Sequence, residues 1–305
     1  MFENILTVGN YVLILFILIA VGFVSAKTKI LTRAAVKEMT DFVLYIVTPC
    51  VIINSYQREF DTAMLGGLVI TIVAAIISFA VNILLAHLLI RDKNKAREKT
   101  LRFGAVFSNC GYMSLPLQSA LLGEEGVFYG ATYIAIFQIV LWTYGVILMS
   151  GSAKNISLRK ILINPGVIGT ALGLMVFIFS IKIPFTVSEP IKYLAALNTP
   201  VPMVIVGFHL ASASLKVRGI SAWGAIVFRM IISPVLMLAG LYACGISGVV
   251  LTACTIATAA PFAAATTMFS EKFGADTSLS ATTVSLTTLL SIITMPVIVG
   301  IATML

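Results

Sequence analysis

Ten long apolar runs follow one another along almost the whole chain of 305 residues. A helix needs about 20 consecutive apolar residues to cross the hydrocarbon core of a bilayer. The runs cover approximately residues 6–26, 39–56, 62–90, 100–122, 126–149, 163–181, 190–211, 220–243, 247–270 and 276–303. The pattern predicts an all-α integral membrane protein with ten transmembrane helices, which we number as spans 1 to 10 in chain order.

The composition supports a membrane protein rather than a soluble one. Charged residues make up 10% of the chain and hydrophobic residues 59%, with a mean hydropathy of +1.06. Ordinary globular proteins carry about 25% charged residues. The formal net charge of +8 comes from Lys and Arg in short gaps between the spans, where membrane proteins concentrate them. We therefore expect the lipid bilayer as a partner and no nucleic acid.

The cysteines and the polar motifs give no sign of a metal site or an enzyme. The four cysteines lie inside apolar runs, without CxxC or zinc-ligand spacing: Cys50, Cys110, Cys244 and Cys254. The spans also lack an aspartate-rich metal motif, an HExxH motif and a nucleophile–base pair. We expect no disulfide, no metal, no cofactor and no enzymatic activity.

The basic residues predict the orientation of the chain. Of the 20 Lys and Arg, sixteen fall in alternate gaps, three fall in the other gaps, and one lies inside span 8. Because basic residues concentrate on the cytoplasmic side, both termini are expected to be extracytoplasmic, in a bacterial inner (plasma) membrane.

A weak internal repeat appears when the sequence is shifted by 151 residues. Three short matches share this register: Thr48-Pro49 with Thr199-Pro200, Ala20-Val21-Gly22 with Ala171-Leu172-Gly173, and Gly123 with Gly274. The halves 1–151 and 152–305 then hold five spans each. Since five is odd, the halves have opposite orientations, and such inverted repeats are typical of secondary transporters.

Spans 4 and 9 each contain an interruption rich in helix-breaking residues. Span 4 carries the segment Ser108-Asn109-Cys110-Gly111-Tyr112-Met113-Ser114-Leu115-Pro116, and span 9 carries Thr258-Ala259-Ala260-Pro261 followed by small residues up to Thr267. One interpretation is two pairs of half-helices that cross at mid-membrane; the alternative is a simple proline kink in each span. Breaks at corresponding places in inverted halves favour a binding site.

The charges near these breaks indicate an anionic ligand. The N-terminus of a half-helix carries a partial positive charge and unpaired N–H groups. All 12 Asp and Glu residues lie at span ends or in gaps, which argues against a cation pump. A small organic anion is the expected substrate.

Arg229 is the only strongly basic residue well inside a span. An Arg at mid-membrane costs about 2.5–3.5 kcal/mol, so an anion, carbonyl groups or water should compensate its charge. One interpretation is that Arg229 binds a carboxylate of the substrate. The alternative is snorkelling, because the residue lies about 13 Å from the cytoplasmic end of span 8.

Other polar residues in the spans have both a functional and a packing interpretation. Asn198 lies at a proline-rich bend of span 7. This bend either lines a cavity or only serves the packing of the helix. The hydroxyl stripe of span 10 either lines a path or bonds its own backbone. The candidate substrate-binding residues are Asn109, Gly111, Ser114, Pro116, Thr258, Pro261, Thr266, Arg229 and Asn198.

The chain resembles the auxin efflux carrier family, in its bacterial branch of malate or malonate permeases. The resemblance rests on the ten spans, on the segment from Phe107 to Leu117, and on Ala260-Pro261 followed by Lys272-Phe273-Gly274-Ala275-Asp276. It implies crossed breaks in spans 4 and 9, a scaffold of spans 1, 2, 6 and 7, a mobile transport domain of spans 3–5 and 8–10, and a homodimer formed through the scaffold.

The resemblance also implies a role for one residue, and one position differs from the plant members of the family. The substrate-contacting asparagine of the family matches Asn109. Plant members have a second proline in span 9, near Thr266 here, so a plant-like hormone pocket is not expected. The function implied is alternating-access transport of a small organic anion such as a dicarboxylate. Alternatives are a channel or sensor on the same fold, or export of an aromatic carboxylate resembling auxin.

Overall fold

The computed structural model describes residues 2–157, 159, 162–212 and 215–305. These residues form helices and turns, and no strand occurs among them beyond one isolated antiparallel bridge between Ser108 and Phe262. Lys160, one of the basic residues counted for orientation, lies outside the described residues. The all-α class predicted from the sequence is confirmed.

The first half of the chain folds into helices joined by π-helical turns. The helices are α1 (Phe2–Lys27), α2 (Arg33–Phe42), α3 (Thr48–Tyr56), α4 (Thr62–Leu89), α5 (Lys95–Val106), α6 (Leu115–Val140) and α7 (Val146–Ser150). The π-helical turn Val43–Val47 joins α2 to α3, Cys110–Ser114 precedes α6, and Leu141–Gly145 joins α6 to α7. Such turns often occur at functional sites.

The second half contains eight named helices among the described residues, most of them shorter than the long helices of the first half. They are α8 (Pro165–Ile178), α9 (Phe185–Ala196), α10 (Pro200–Ser212), α11 (Ile220–Val227), α12 (Ser233–Ala243), α13 (Gly248–Ala259), α14 (Ala265–Phe273) and α15 (Thr277–Ala302). The π-helical turn Phe228–Ile232 joins α11 to α12 and carries Arg229.

Six helical segments among the described residues are long and apolar enough to cross a membrane. They are Leu6–Lys27, Thr62–Leu89, Cys110–Ser150, Phe185–Ala211, Ile220–Ala243 and Thr277–Ala302. This confirms a multi-pass membrane protein. Helical segments lie at all ten predicted runs, but the ten crossings and the inverted repeat stay predictions.

A break at Gly123 separates span 4 from span 5, in the gap that the sequence predicts. Gly123 has a φ of 64° and a ψ of −153°, which are not helical angles, so the range Leu115–Val140 given for α6 holds two helices that meet at this residue. A positive φ is accessible to glycine at little cost. The second half of span 4 therefore ends, and span 5 begins, at Gly123.

Several helices that begin in the gaps have side-chain caps at their N-termini. The capping residues are Thr32, Asp61, Asn94, Asn164 and Asp276. Each side chain accepts a hydrogen bond from a backbone N–H of the first turn, which a helix cannot satisfy by itself.

Close contacts between helices join α1 to α10 and α3 to α8. A Cβ atom added to Gly207 would lie 1.9 Å from the carbonyl oxygen of Ile19, and one added to Gly22 would lie 2.1 Å from that of Val204. Only glycine permits such an approach of two backbones. On the other pair, Gly173 packs against the ring of Tyr56. Gly22 and Gly173 correspond in the 151-residue register.

Candidate binding site at the crossed helix breaks

The breaks in spans 4 and 9 touch each other through backbone hydrogen bonds. The N–H of Asn109 donates to the carbonyl oxygen of Pro261 at 2.8 Å, and the N–H of Ala263 donates to that of Phe107 at 3.0 Å. These bonds flank the bridge between Ser108 and Phe262. The interrupted segments therefore cross in direct contact, as the sequence predicts for paired half-helices and not for two separate kinks.

Two neighbours hold the span 9 break in place. The ring of Phe262 lies so close to α5 that a Cβ added to Gly104 would meet a ring carbon at 2.1 Å. The N–H of Phe262 donates to the hydroxyl of Thr287 on α15 at 3.2 Å. The hydroxyl stripe of span 10 thus supports the break at Thr287, while Ser280, Thr283 and Ser291 bond carbonyl groups of their own helix.

Arg229 reaches the ends of both interrupted helices. Its Nη1 donates to the carbonyl oxygens of Ala105 at 3.3 Å and Val106 at 3.1 Å, at the end of α5. Its Nη2 donates to the carbonyl oxygen of Thr258, near the end of α13, and to the hydroxyl of Ser233 at 2.8 Å. Four of the five guanidinium N–H groups are therefore used, and Nε has no hydrogen-bond partner among the described residues.

This arrangement shows whether Arg229 snorkels to the membrane interface or stays buried with its charge compensated. The side chain is 1% exposed and points into protein, so it does not reach an interface as snorkelling requires. Carbonyl groups at two helix ends compensate its charge, which is one of the three kinds of compensation expected from the sequence. Three of the four partners are backbone atoms, which carry no residue-type signature in a sequence; the fourth is the hydroxyl of Ser233.

Asn109 begins the helical segment after the span 4 break. Asn109 is 5% exposed. Within the described part of the chain, its side chain makes no capping hydrogen bond to the turn that follows. A Cβ added to Gly111 would meet no described atom within 4 Å. The amide side chain of Asn109 thus lies at the start of a helical segment, and the open space at Gly111 begins two residues later in the chain.

The other predicted residues of spans 4 and 9 divide into supporting groups and unpartnered groups. The Ser114 hydroxyl donates to the carbonyl oxygen of Ile256 at 3.1 Å, so it ties the two spans together. The Thr258 hydroxyl donates to carbonyl groups of its own helix. Thr266, in the first turn of α14, is fully buried, and its hydroxyl has no hydrogen-bond partner among the described residues.

Span 7 approaches the same region from the other side. Asn198 is 5% exposed, and its Oδ1 atom is buried without a hydrogen-bond partner in the described chain. The next residue, Thr199, lines a cavity of about 140 Å³ together with Pro116 of α6 and Tyr11 of α1. The structure thus places Pro116 and the bend of span 7 around one cavity, although it gives no direct bond between Asn198 and the crossed breaks.

Sequence reasoning missed one buried polar residue that joins the two interrupted spans. Gln118 is fully buried, and its Nε2 donates to the carbonyl oxygen of Ala253 on α13 at 2.8 Å. Its place four residues after Ser114, on the same helix face, was the signal that could have identified it. Gln138 accepts a hydrogen bond from Nδ2 of Asn164 at 3.3 Å, which joins spans 5 and 6.

Comparisons with known proteins agree with the class that the fold defines. A multi-pass helical bundle with two interrupted helices in contact is an architecture of membrane transport proteins rather than of enzymes. The family described as Membrane transport protein matches residues 7–159 and 152–299, so the chain belongs to this auxin efflux carrier-like family. An uncharacterized transporter of Methanocaldococcus jannaschii is 26% identical over 300 residues, which cover 93% of this chain and 95% of that protein.

Proposed function

We propose that this membrane transport protein is a secondary-active carrier that moves a small organic anion, such as a dicarboxylate or a related carboxylate, by alternating access. The observation that carries the proposal is the helix N-terminus at the span 4 break, where within the described residues no side chain caps the turn beginning at Cys110. The first N–H groups of this turn are therefore available to an anion. In α14 the N–H groups of Thr266 and Thr267 already donate to the carbonyl oxygens of Ala263 and Ala264, so this helix contributes mainly the hydroxyl of Thr266.

Polar side chains around these N-termini support the same ligand class. Asn109 offers two N–H donors beside the open space at Gly111. Thr266 offers a buried hydroxyl without a partner in the described chain. In this proposal Gly111, Pro116 and Pro261 shape the backbone, Ser114 and Thr258 support it, and Asn198 faces the ligand from span 7.

Arg229 contributes to the proposed site through its support of the two helix ends and through its one remaining donor. Four of its N–H groups already bond protein oxygens, so in this arrangement the guanidinium cannot form a bidentate pair with a carboxylate. Carbonyl groups of α5 and α13 largely balance its charge, and only the Nε–H is left to donate to a ligand. Asn109 and the N–H groups of the turn beginning at Cys110 are accordingly the primary contacts.

The packing of the helices supports a division into two moving parts. Gly22 and Gly207 bring the backbones of α1 and α10 into contact, which favours a rigid scaffold of spans 1, 2, 6 and 7. The cavity lined by Tyr11 and Pro116 lies between α1 and α6. We propose that the transport domain moves along this boundary. Dimerisation through the scaffold, extracytoplasmic termini and a plasma-membrane location belong to the same proposal.

Counterflow in liposomes tests the proposed function. Purified protein is reconstituted, and uptake of labelled malonate or malate is measured with and without unlabelled dicarboxylate inside. A carrier gives saturable uptake that internal substrate accelerates. Uptake that rises linearly with concentration and ignores internal substrate would indicate a channel, and binding without uptake would indicate a sensor. Faster counterflow with an aromatic carboxylate than with either dicarboxylate would favour the auxin-like alternative.

A further inference from the structure

One guanidinium lies at the point where two interrupted helices end. Helix α5 ends at Val106 and α13 ends at Ala259. Carbonyl oxygens of Ala105 and Val106 from the first helix, and of Thr258 from the second, accept hydrogen bonds from Arg229. The hydroxyl oxygen of Ser233 completes a set of four oxygen atoms around the group.

The electrostatics of the two helix ends call for a single positive charge. The last carbonyl groups of a helix have no partner within the helix, and together they act as about half a negative charge. Two such ends in one place therefore approach one negative charge. Arg229 supplies one positive charge, and none of the ion pairs in the described chain joins it to a carboxylate.

Carbonyl groups at the ends of interrupted helices can also bind a small cation. In transporters with discontinuous helices, such groups are the ligands that coordinate Na⁺. Backbone carbonyls and a hydroxyl are oxygen donors of the kind that hard cations prefer. The position that a cation would take between these oxygens is here filled by the guanidinium.

We propose that Arg229 is a positioning residue that acts as a built-in monovalent cation, and that its four oxygen partners form a latent cation site. The guanidinium holds the ends of α5 and α13 together and thereby fixes the crossing of the breaks. Removal of the guanidinium leaves the oxygens free to bind guanidinium or an alkali cation from solution. A corollary, which rests on the proposed function, is that the wild-type carrier binds its anion without an alkali cation.

Chemical rescue of Arg229→Ala tests the latent site without any substrate. The melting temperature in detergent is measured in choline chloride, in NaCl and KCl of equal ionic strength, and with about 20 mM guanidinium, far below denaturing concentrations. We expect guanidinium, and to a smaller extent an alkali cation, to raise the melting temperature of Arg229→Ala by about 3 °C over choline. The wild type should shift by less than about 1 °C.

Arg102→Ala is the matched control for this rescue. Arg102 also donates to carbonyl groups at a helix end, those of His87 and Ile90, but it lies near the protein surface beside Glu98. Because water can solvate the carbonyls that this variant exposes, guanidinium should not stabilise it. An Arg229→Ala protein that melts equally in choline and guanidinium, or a wild type that Na⁺ stabilises, would overturn the proposal.

A second pair of variants decides the matter if Arg229→Ala does not fold. Arg229→Lys keeps the charge, whereas Arg229→Met keeps much of the length and removes the charge. The proposal predicts a higher melting temperature for Lys than for Met, despite the better apolar packing of Met. The reverse order would show that Arg229 matters only through packing. These melting temperatures do not depend on the liposome assay. A failure of the cation-site proposal can therefore be distinguished from a failure of the proposed transport function.

Discussion

Asn109 shows how a single side chain can be available for a ligand inside a crowded crossing. Its backbone is fully used, since the N–H donates to Pro261 and the carbonyl oxygen accepts from Met113. In the described structure its side chain caps no helix. The sequence could identify this asparagine by residue type and by family resemblance. It could not show that the backbone bonds free the side chain from a structural role.

Asn109→Ala should therefore weaken anion binding with little loss of stability. Loss of a hydrogen bond to a charged ligand costs about 1.5–3 kcal/mol, which is roughly tenfold or more in affinity. Binding of the dicarboxylate that drives counterflow and the melting temperature are measured on the same sample. Asn82→Ala is the control, because Asn82 is equally buried but bonds Ser78 within α4. A stability loss with unchanged affinity of the folded fraction would assign Asn109 to backbone support instead.

Arg229 marks the limit of sequence reasoning at the residue scale. Its depth in an apolar run predicted that its charge needs compensation. The compensating groups are carbonyl oxygens of α5 and α13, more than 100 and nearly 30 residues away along the chain. Every residue has such an oxygen, so no residue type pointed to Ala105, Val106 or Thr258.

At the scale of elements, prolines located the breaks only approximately. Pro261 lies in the span 9 break itself, whereas Pro116 lies six residues after the helical segment resumes at Cys110, just after the π-helical turn passes into α6. A proline within a helical segment removes one backbone donor, so it disturbs the helix without ending it at that residue. A proline in an apolar run therefore indicates the neighbourhood of a break rather than its exact position.

Substitutions at two glycines beside the breaks should have opposite consequences. A methyl group at Gly104 collides with the ring of Phe262, whereas one at Gly111 meets open space. We expect Gly104→Ala to lower the free energy of unfolding by about 1–3 kcal/mol, the usual cost of overpacking. Gly111→Ala should change it by no more than about 0.5 kcal/mol. Chemical denaturation of both variants checks this difference, and equal losses would mean that Phe262 does not pack as described.

An ionic network connects several elements of the predicted transport domain. Asp92, between α4 and α5, accepts a hydrogen bond from the Ser221 hydroxyl of α11 at 2.6 Å. Arg97 of α5 contacts Asp92 at 3.4 Å and Asp276, the cap of α15, at 3.8 Å. It also donates to the carbonyl oxygen of Arg218 at 3.0 Å. The network ties the ends of four segments together.

The stability contributed by Asp92 should depend on pH in a defined direction. The Ser221 hydrogen bond, followed by bonds from Asn94 and Arg97, lowers the pKa of Asp92 from its ordinary value of 3.8. A group with a lowered folded-state pKa stabilises the protein above its unfolded-state pKa and loses this effect as the pH falls through the folded-state pKa. The melting difference between wild type and Ser221→Ala should stay constant from pH 7 to 5 and shrink below about 4. A difference that grows on acidification would contradict this assignment.

At the scale of the whole molecule, hydropathy predicted the class and the helical segments but not how they join. Apolar runs record which residues avoid water, so they indicated a multi-pass helical protein. The break at Gly123 falls in the gap predicted between spans 4 and 5, where glycine accepts a positive φ at little cost. The contact between the breaks depends on long-range backbone bonds such as Asn109 to Pro261, which leave no periodic pattern.

In the proposed function, the crossed breaks form a substrate site that opens alternately to the two sides of the membrane. Gly111→Cys, made after the four native cysteines are replaced, places a thiol in the open space beside Asn109. The labelling rate by a membrane-impermeant thiol reagent is measured from each side of oriented vesicles, with Glu125→Cys in a gap as the control. Alternating access predicts labelling of Gly111→Cys from both sides, slowed by the dicarboxylate that drives counterflow, while Glu125→Cys reacts from one side only and without protection. Labelling of Gly111→Cys that the dicarboxylate does not slow, or that occurs from one side only, would contradict it.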